Sequence, residues 1–142
     1  MPRLNMRKTH KLGMAAVLGL EGYTRTRLPS ELNELIKLRA SLLNGCQFCI
    51  AMHSEDLRRA GETQERLAAL EQDDPGELFD PRERAALALT DAVTRLGEGG
   101  VSDDVWDRAG EFFSSTQLGD LVLAIATINV WNRIGIATRL EA

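Results

Sequence analysis

The segment Asn44-Gly-Cys-Gln-Phe-Cys-Ile-Ala-Met-His53 holds both cysteines of the chain and one of its two histidines. If a helix begins at about Cys46, then Cys46, Cys49 and His53 fall at i, i+3 and i+7 and line one face. Dithiol chemistry needs such spacing. Two thiols one turn apart can close a disulfide after a modest adjustment, and an imidazole one turn beyond Cys49 can take or give a proton. The reactive species is the thiolate. A free thiol has a pKa of roughly 8.5, so only a few per cent is ionised at neutral pH. The partial positive charge of a helix's first turn favours the anion, and so does a nearby His53.

Glu34 is the fourth candidate. It lies one turn into the preceding helix, between Leu32 and Leu35, in an otherwise apolar stretch. If the two helices fold side by side, Glu34 can orient His53 or shuttle its proton. Burial would raise the pKa of such a carboxyl, which suits proton transfer. Other readings of the same residues stay open. The cysteine pair could be a structural disulfide, although so short a loop constrains the unfolded chain little. It could be two inert core thiols, or a zinc site completed by His53 and His10. Glu34 could be simply solvated.

The elements that must carry these groups read as helices throughout. Runs of alternating β-branched and aromatic residues are missing. A first helix is predicted over 9–24, with Leu12, Ala15, Ala16, Leu18 and Gly19 on its apolar side. Pro29 and Ser30 open a second, with a stripe of Leu32, Leu35, Ile36, Leu38, Leu42 and Leu43, and Asn44-Gly45 ends it. A third covers 46–60 and is closed by Gly61. Thr63 caps a fourth that runs to about 70. Residues 71–79 read as a surface turn around Pro75-Gly76. Asp80, Pro81 and Glu83 make a capping box for a fifth helix that ends near Gly97. Ser102 caps a sixth through Val105, Trp106 and Phe112. Ser114 with Gln117 opens the last, 115–139, whose inner side carries Leu118, Leu121, Val122, Ile125 and Ile128. Ala124 and Ala126 admit a close neighbour. Asn129, Trp131, Asn132 and Arg133 read as structural packing or as lining an interface. The expectation is an all-α, compact single-domain bundle of about six to seven helices spanning 1–142.

Composition narrows the function. The chain has 142 residues, 44% of them hydrophobic, enough for one core without staples. Its net charge of −4 argues against nucleic acid as a partner. Arg3, Arg7, Lys8 and Lys11 are too sparse to change that. The apolar stretch from Met14 to Leu20 is too short for a signal peptide, and the run from Leu121 to Val130 is about half a bilayer span. No membrane association is expected, and a cytoplasmic location is. Cysteines meant to staple a secreted fold would be spread along the chain.

These motifs resemble the AhpD-like alkylhydroperoxidase family, within the carboxymuconolactone decarboxylase superfamily. The likeness rests on Glu34-Leu-Ile-Lys-Leu-Arg39, Asn44-Gly-Cys-Gln-Phe-Cys49, His53 and Ala124-Ile-Ala-Thr-Ile-Asn-Val-Trp-Asn-Arg133, and covers 28–139. It implies an AhpD-like helical fold assembled as homo-oligomers, trimers or hexamers. It implies that Cys49 attacks a hydroperoxide and becomes a sulfenic acid, that Cys46 resolves it as a disulfide, and that Glu34 and His53 relay protons. The helix dipole alone favours Cys46 as nucleophile, but His53 is one turn from Cys49 and two from Cys46, and the base decides for Cys49. A protein or small-thiol reductant is implied, with no cofactor and no metal. Two positions depart from well-studied members, which carry a histidine where Phe48 stands and a tyrosine where Ala40 stands. Decarboxylase members lack the cysteine pair, which counts against lactone decarboxylation. The same dithiol would also serve a general thiol–disulfide oxidoreductase or a non-enzymatic redox-sensing protein.

Overall fold

A computed structural model describes residues 1–141. The eight helices are α1 (Met6–Thr9), α2 (Lys11–Arg27), α3 (Ser30–Asn44), α4 (Gln47–Arg59), α5 (Gln64–Ala69), α6 (Pro81–Thr94), α7 (Asp103–Gly110) and α8 (Ser115–Thr138), with a 3₁₀ turn at Gly76–Leu78. Among the described residues no strand forms, and one isolated bridge joins Gly97 to Gly100. The all-α expectation holds. The count exceeds six to seven because α1 is a separate turn, capped by Asn5, whose side chain accepts the Lys8 N–H.

Local chemistry fixes most boundaries. Both expected capping boxes form, at Asp80/Glu83 and at Ser114/Gln117, and the hydroxyls of Thr63 and Ser102 cap α5 and α7. Each satisfies N–H groups that a helix start leaves unpaired. The third helix begins at Gln47 rather than at Cys46, because Cys46 is extended and serves as the cap.

Helix α3 is the hub and packs against α4, α6 and α8. Its Leu32 and Ile36 join Leu89, Leu121 and Ile125 in one buried cluster, while Leu35 and Leu38 join Leu57, Leu70 and Phe79 in another. Fully burying one such side chain stabilises by roughly 1.5–3 kcal/mol. Arg39 on this helix is also buried, at 2% exposure. All five of its guanidinium hydrogens are used: Asp91 accepts two at 2.7 Å, and the carbonyls of Leu70, Gln72 and Asp73 accept the rest. The segment read as a surface turn is therefore tied at its start to the centre of the bundle.

Two expectations need correction. The apolar side assigned to the first helix faces outward: Leu12 is 88% and Leu18 59% exposed, whereas Glu21 and Thr24 are buried. Helix α2 turns its acid inward because partners for it wait there. The apolar run near the C-terminus also understates its helix. Helix α8 has 24 residues and is long and apolar enough, by length and composition alone, to cross a membrane. In the bundle it packs against α2, α3, α4, α6 and α7.

Candidate active site

The site begins at the end of α3. Gly45 takes the left-handed conformation (φ 73°), and the N–H groups of Gly45 and Cys46 return to the Ser41 carbonyl at 2.9 and 3.1 Å. Glycine adopts this φ without Cβ strain. Asn44 secures the same corner. Its amide donates to Asn129 Oδ1 and Asn132 Oδ1, each at 2.9 Å, and Asn132 donates to Ser41 Oγ at 2.9 Å. The polar residues late in α8 are thus structural, as read, and they fix where the chain reverses into Cys46.

Cys46 and Cys49 are joined as a disulfide. Cys46 Sγ also accepts the Cys49 N–H at 3.4 Å, capping α4. The sulfurs are almost wholly enclosed, with Cys46 2% and Cys49 3% exposed. Helix α8 covers them at Gly135: a Cβ placed there would lie 3.0 Å from Cys46 Sγ and 3.7 Å from Cys49 Sγ. Any side chain there would make the Cys46 sulfur give way by a few tenths of an ångström.

His53 lies one turn beyond Cys49 on α4, also buried. Its Nδ1 meets Glu34 Oε2 at 2.9 Å across the α3–α4 packing, and Cys49 and His53 both lie on the buried face of α4. Asp56 Oδ2 approaches the same Nδ1 at 4.0 Å from the solvent side. The other Glu34 oxygen accepts from Lys37 Nζ at 3.3 Å. Lys37 is 1% exposed and donates at 2.5 Å to Glu21 Oε1, brought in by α2. Glu21 also accepts from Arg25 Nε at 3.0 Å and from the Trp131 indole at 3.2 Å.

The direction of the Glu34 shift is opposite to the one expected. Burial pushes this carboxyl up, but the His53 hydrogen bond and the charges of His53 and Lys37 outweigh it and hold Glu34 below the ordinary carboxylate range. Glu21 is lowered likewise: burial raises it, and Lys37 and Arg25 more than compensate. Glu34 is therefore an ionised acceptor at neutral pH, so Nδ1 carries the hydrogen of the shared bond, and in the neutral imidazole the nitrogen left without one is Nε2.

Glu34, His53 and Asp56 each bring a ligand atom within 4.8 Å of the others, the one such grouping among the described residues. The Lys37 ammonium already sits on Glu34, so the arrangement reads better as a hydrogen-bonded relay than as a metal centre. His10, the other ligand of the zinc alternative, is exposed at the α1–α2 junction and bonds Thr9. A cleft of about 270 Å³ opens onto Glu34 and Asp56, bordered by Arg25, Ser30, Asn33 and Leu57. It reaches the carboxylate side of the His53 pair, and neither sulfur lines it. Phe48 is half-buried, and Ala40, where the tyrosine would stand, is fully enclosed.

Sequence reading missed Lys37, Glu21 and Gly135. One signal was available: Lys37 stands between Ile36 and Leu38, at i+3 from Glu34, where a solvated lysine has no reason to be.

The model of the carboxymuconolactone decarboxylase family matches residues 11–92. The uncharacterized protein YdfG of Bacillus subtilis (strain 168) is 40% identical over 126 residues, 88% of this chain and 86% of that protein. A crystal structure from Agrobacterium tumefaciens superposes with a TM-score of 0.95 at 34% identity, covering 99% of this chain and 97% of that one. That protein is of unknown function and provisionally assigned as the antioxidant defence protein AhpD. An uncharacterized peroxidase-related protein from Ralstonia eutropha JMP134, described as an alkylhydroperoxidase AhpD core, shares the fold at a TM-score of 0.83 and 17% identity, over 96% of this chain and 73% of that one. Family match and fold agree, and the chain belongs to the carboxymuconolactone decarboxylase family, on its AhpD-like side.

Proposed function

We propose that this protein is a thiol-dependent hydroperoxidase in which Cys49 is the peroxidatic sulfur and Cys46 the resolving one. One observation carries the reading: a disulfide-forming pair shares a buried face with an imidazole whose other nitrogen is held by an ionised carboxylate. In the reduced protein His53 Nε2 takes the Cys49 proton. The thiolate attacks the terminal oxygen of a hydroperoxide, the O–O bond breaks, and the departing alkoxide leaves as the alcohol after receiving that proton from His53. Cys49 is then a sulfenic acid. The Cys46 sulfur attacks it, water leaves, and the disulfide remains. Two electrons have passed from the dithiol to the peroxide. A protein or small-thiol reductant restores the pair by thiol–disulfide exchange, which suits a reducing, cytoplasmic setting. The cleft at Glu34 gives the relay its path to solvent.

Burial favours a small oxidant over a bulky one, since both sulfurs are at most 3% exposed. The outward apolar residues of α2, Leu12 and Leu18, support assembly into a homo-oligomer. Peroxide consumption by the reduced protein, followed by stopped flow beside reduction of a small disulfide, tests the reading. A clear preference for the peroxide, lost in Cys49→Ser, is expected. A large preference for the disulfide would overturn it in favour of a general thiol–disulfide oxidoreductase.

A further inference from the structure

We infer that Lys37, held by Glu21, is a positioning residue that keeps Glu34 turned toward His53 and so fixes which imidazole nitrogen is the base. The inference rests on the relay proposed above.

The geometry divides the Glu34 carboxylate between two donors. Oε2 meets His53 Nδ1 at 2.9 Å and Oε1 meets Lys37 Nζ at 3.3 Å. A carboxylate bound at one oxygen only can rotate. Bound at both, it presents a fixed acceptor to the imidazole. The lysine cannot be a surface residue that happens to lie near, because it is 1% exposed. An ammonium at this depth requires compensation. Glu21 supplies it, and Glu21 is itself anchored by Arg25 and the Trp131 indole. The chain of contacts runs from Trp131 on α8 through Glu21 on α2 and Lys37 and Glu34 on α3 to His53 on α4.

The consequence is chemical. While Glu34 is an anion it can only accept, so Nδ1 bears the hydrogen and Nε2 is left to take the thiol proton. Remove the ammonium, and burial acts on Glu34 with less opposition. The groups facing it would then be His53 and Asp56 from α4, with Glu21, which shares the Lys37 ammonium, and Arg25 from α2. A neutral Glu34 can donate to Nδ1, which places the hydrogen on Nε2 and abolishes the base.

The test uses the full-length oxidised protein, with no peroxide present. Carboxyl ¹³C and ring ¹⁵N resonances of Glu34 and His53 are followed against pH in the parent, Lys37→Met and Lys37→Arg. The expected result is a rise of the Glu34 midpoint by about one pH unit or more in Lys37→Met, a growing share of the Nε2–H tautomer, and restoration of both in Lys37→Arg. In the reduced protein the acid limb of the rate profile moves up by the same interval. Should Lys37→Met fail to fold, the pair Glu21→Gln/Lys37→Met removes both buried charges together and must show the same rise. A parent-like midpoint and tautomer ratio in whichever of these variants is folded would overturn the inference. Failure of the parent to consume peroxide would strike at the functional reading, and the resonances would still decide the role of Lys37.

Discussion

His53 Nδ1 and Glu34 Oε2 meet at 2.9 Å across the α3–α4 interface, and the opposite edge of the same carboxylate is held by a buried lysine. In the proposed mechanism these contacts set Glu34 as orienter and His53 as base before any substrate arrives. Glu34→Gln preserves the shape but cannot stabilise an imidazolium. The rate of peroxide cleavage at neutral pH should fall about 100-fold, read by stopped flow on the reduced protein.

The same carboxylate links stability to acid. The Glu34 pKa is lowered in the folded chain, so its contribution is complete above the unfolded carboxyl pKa and is lost as pH falls through the folded one. Glu21 acts in the same direction. Denaturant melts of the oxidised protein between about pH 5 and pH 3 should lose stability steeply. Glu34→Gln, although weaker at neutral pH, should lose less over that interval.

Much of this was legible in the sequence, and the limits are physical. Cys49 and His53 could be placed together because a helix converts their spacing directly into a shared face, with Cys46 as its cap, and Glu34 meets His53 from α3. Caps at Asp80, Ser102 and Ser114 could be found because each acts within its own turn. The inward face of α2 could not. Glu21 is buried only because Lys37 and Trp131, from other helices, hold it, and pattern alone sends Leu12 and Leu18 inside instead. The Glu34 shift failed for a similar reason. Burial could be anticipated from its apolar neighbours, but not that Lys37, at i+3, would be buried against it.

Arg39 is the largest buried liability outside the site. Removing it leaves three backbone carbonyls and Asp91 without their donor. Arg39→Ala should cost about 3 kcal/mol or more, measured by denaturant unfolding, and should expose the chain around Gln72 and Asp73 to proteolysis.

Gly135 offers a contrast with a built-in control. Valine there forces a Cβ to within 3.0 Å of Cys46 Sγ, with two methyls beyond it, and overpacking of this kind costs about 1–3 kcal/mol. Gly22, on the exposed side of α2, has nothing within 4 Å of such a Cβ. Gly135→Val should be clearly destabilised in thermal melts and Gly22→Val should stay close to the parent.

The proposed function makes Cys49 the peroxidatic sulfur, and capture of its oxidised form tests that most directly. Reduced Cys46→Ser is mixed with one equivalent of hydroperoxide and a 1,3-dione trap, and the labelled residue is located by mass spectrometry. A sulfenic acid adduct on Cys49, formed far more slowly once His53 is also replaced, is the predicted result. An unlabelled Cys49, with Cys46 labelled instead in the matching Cys49→Ser protein, would contradict the account.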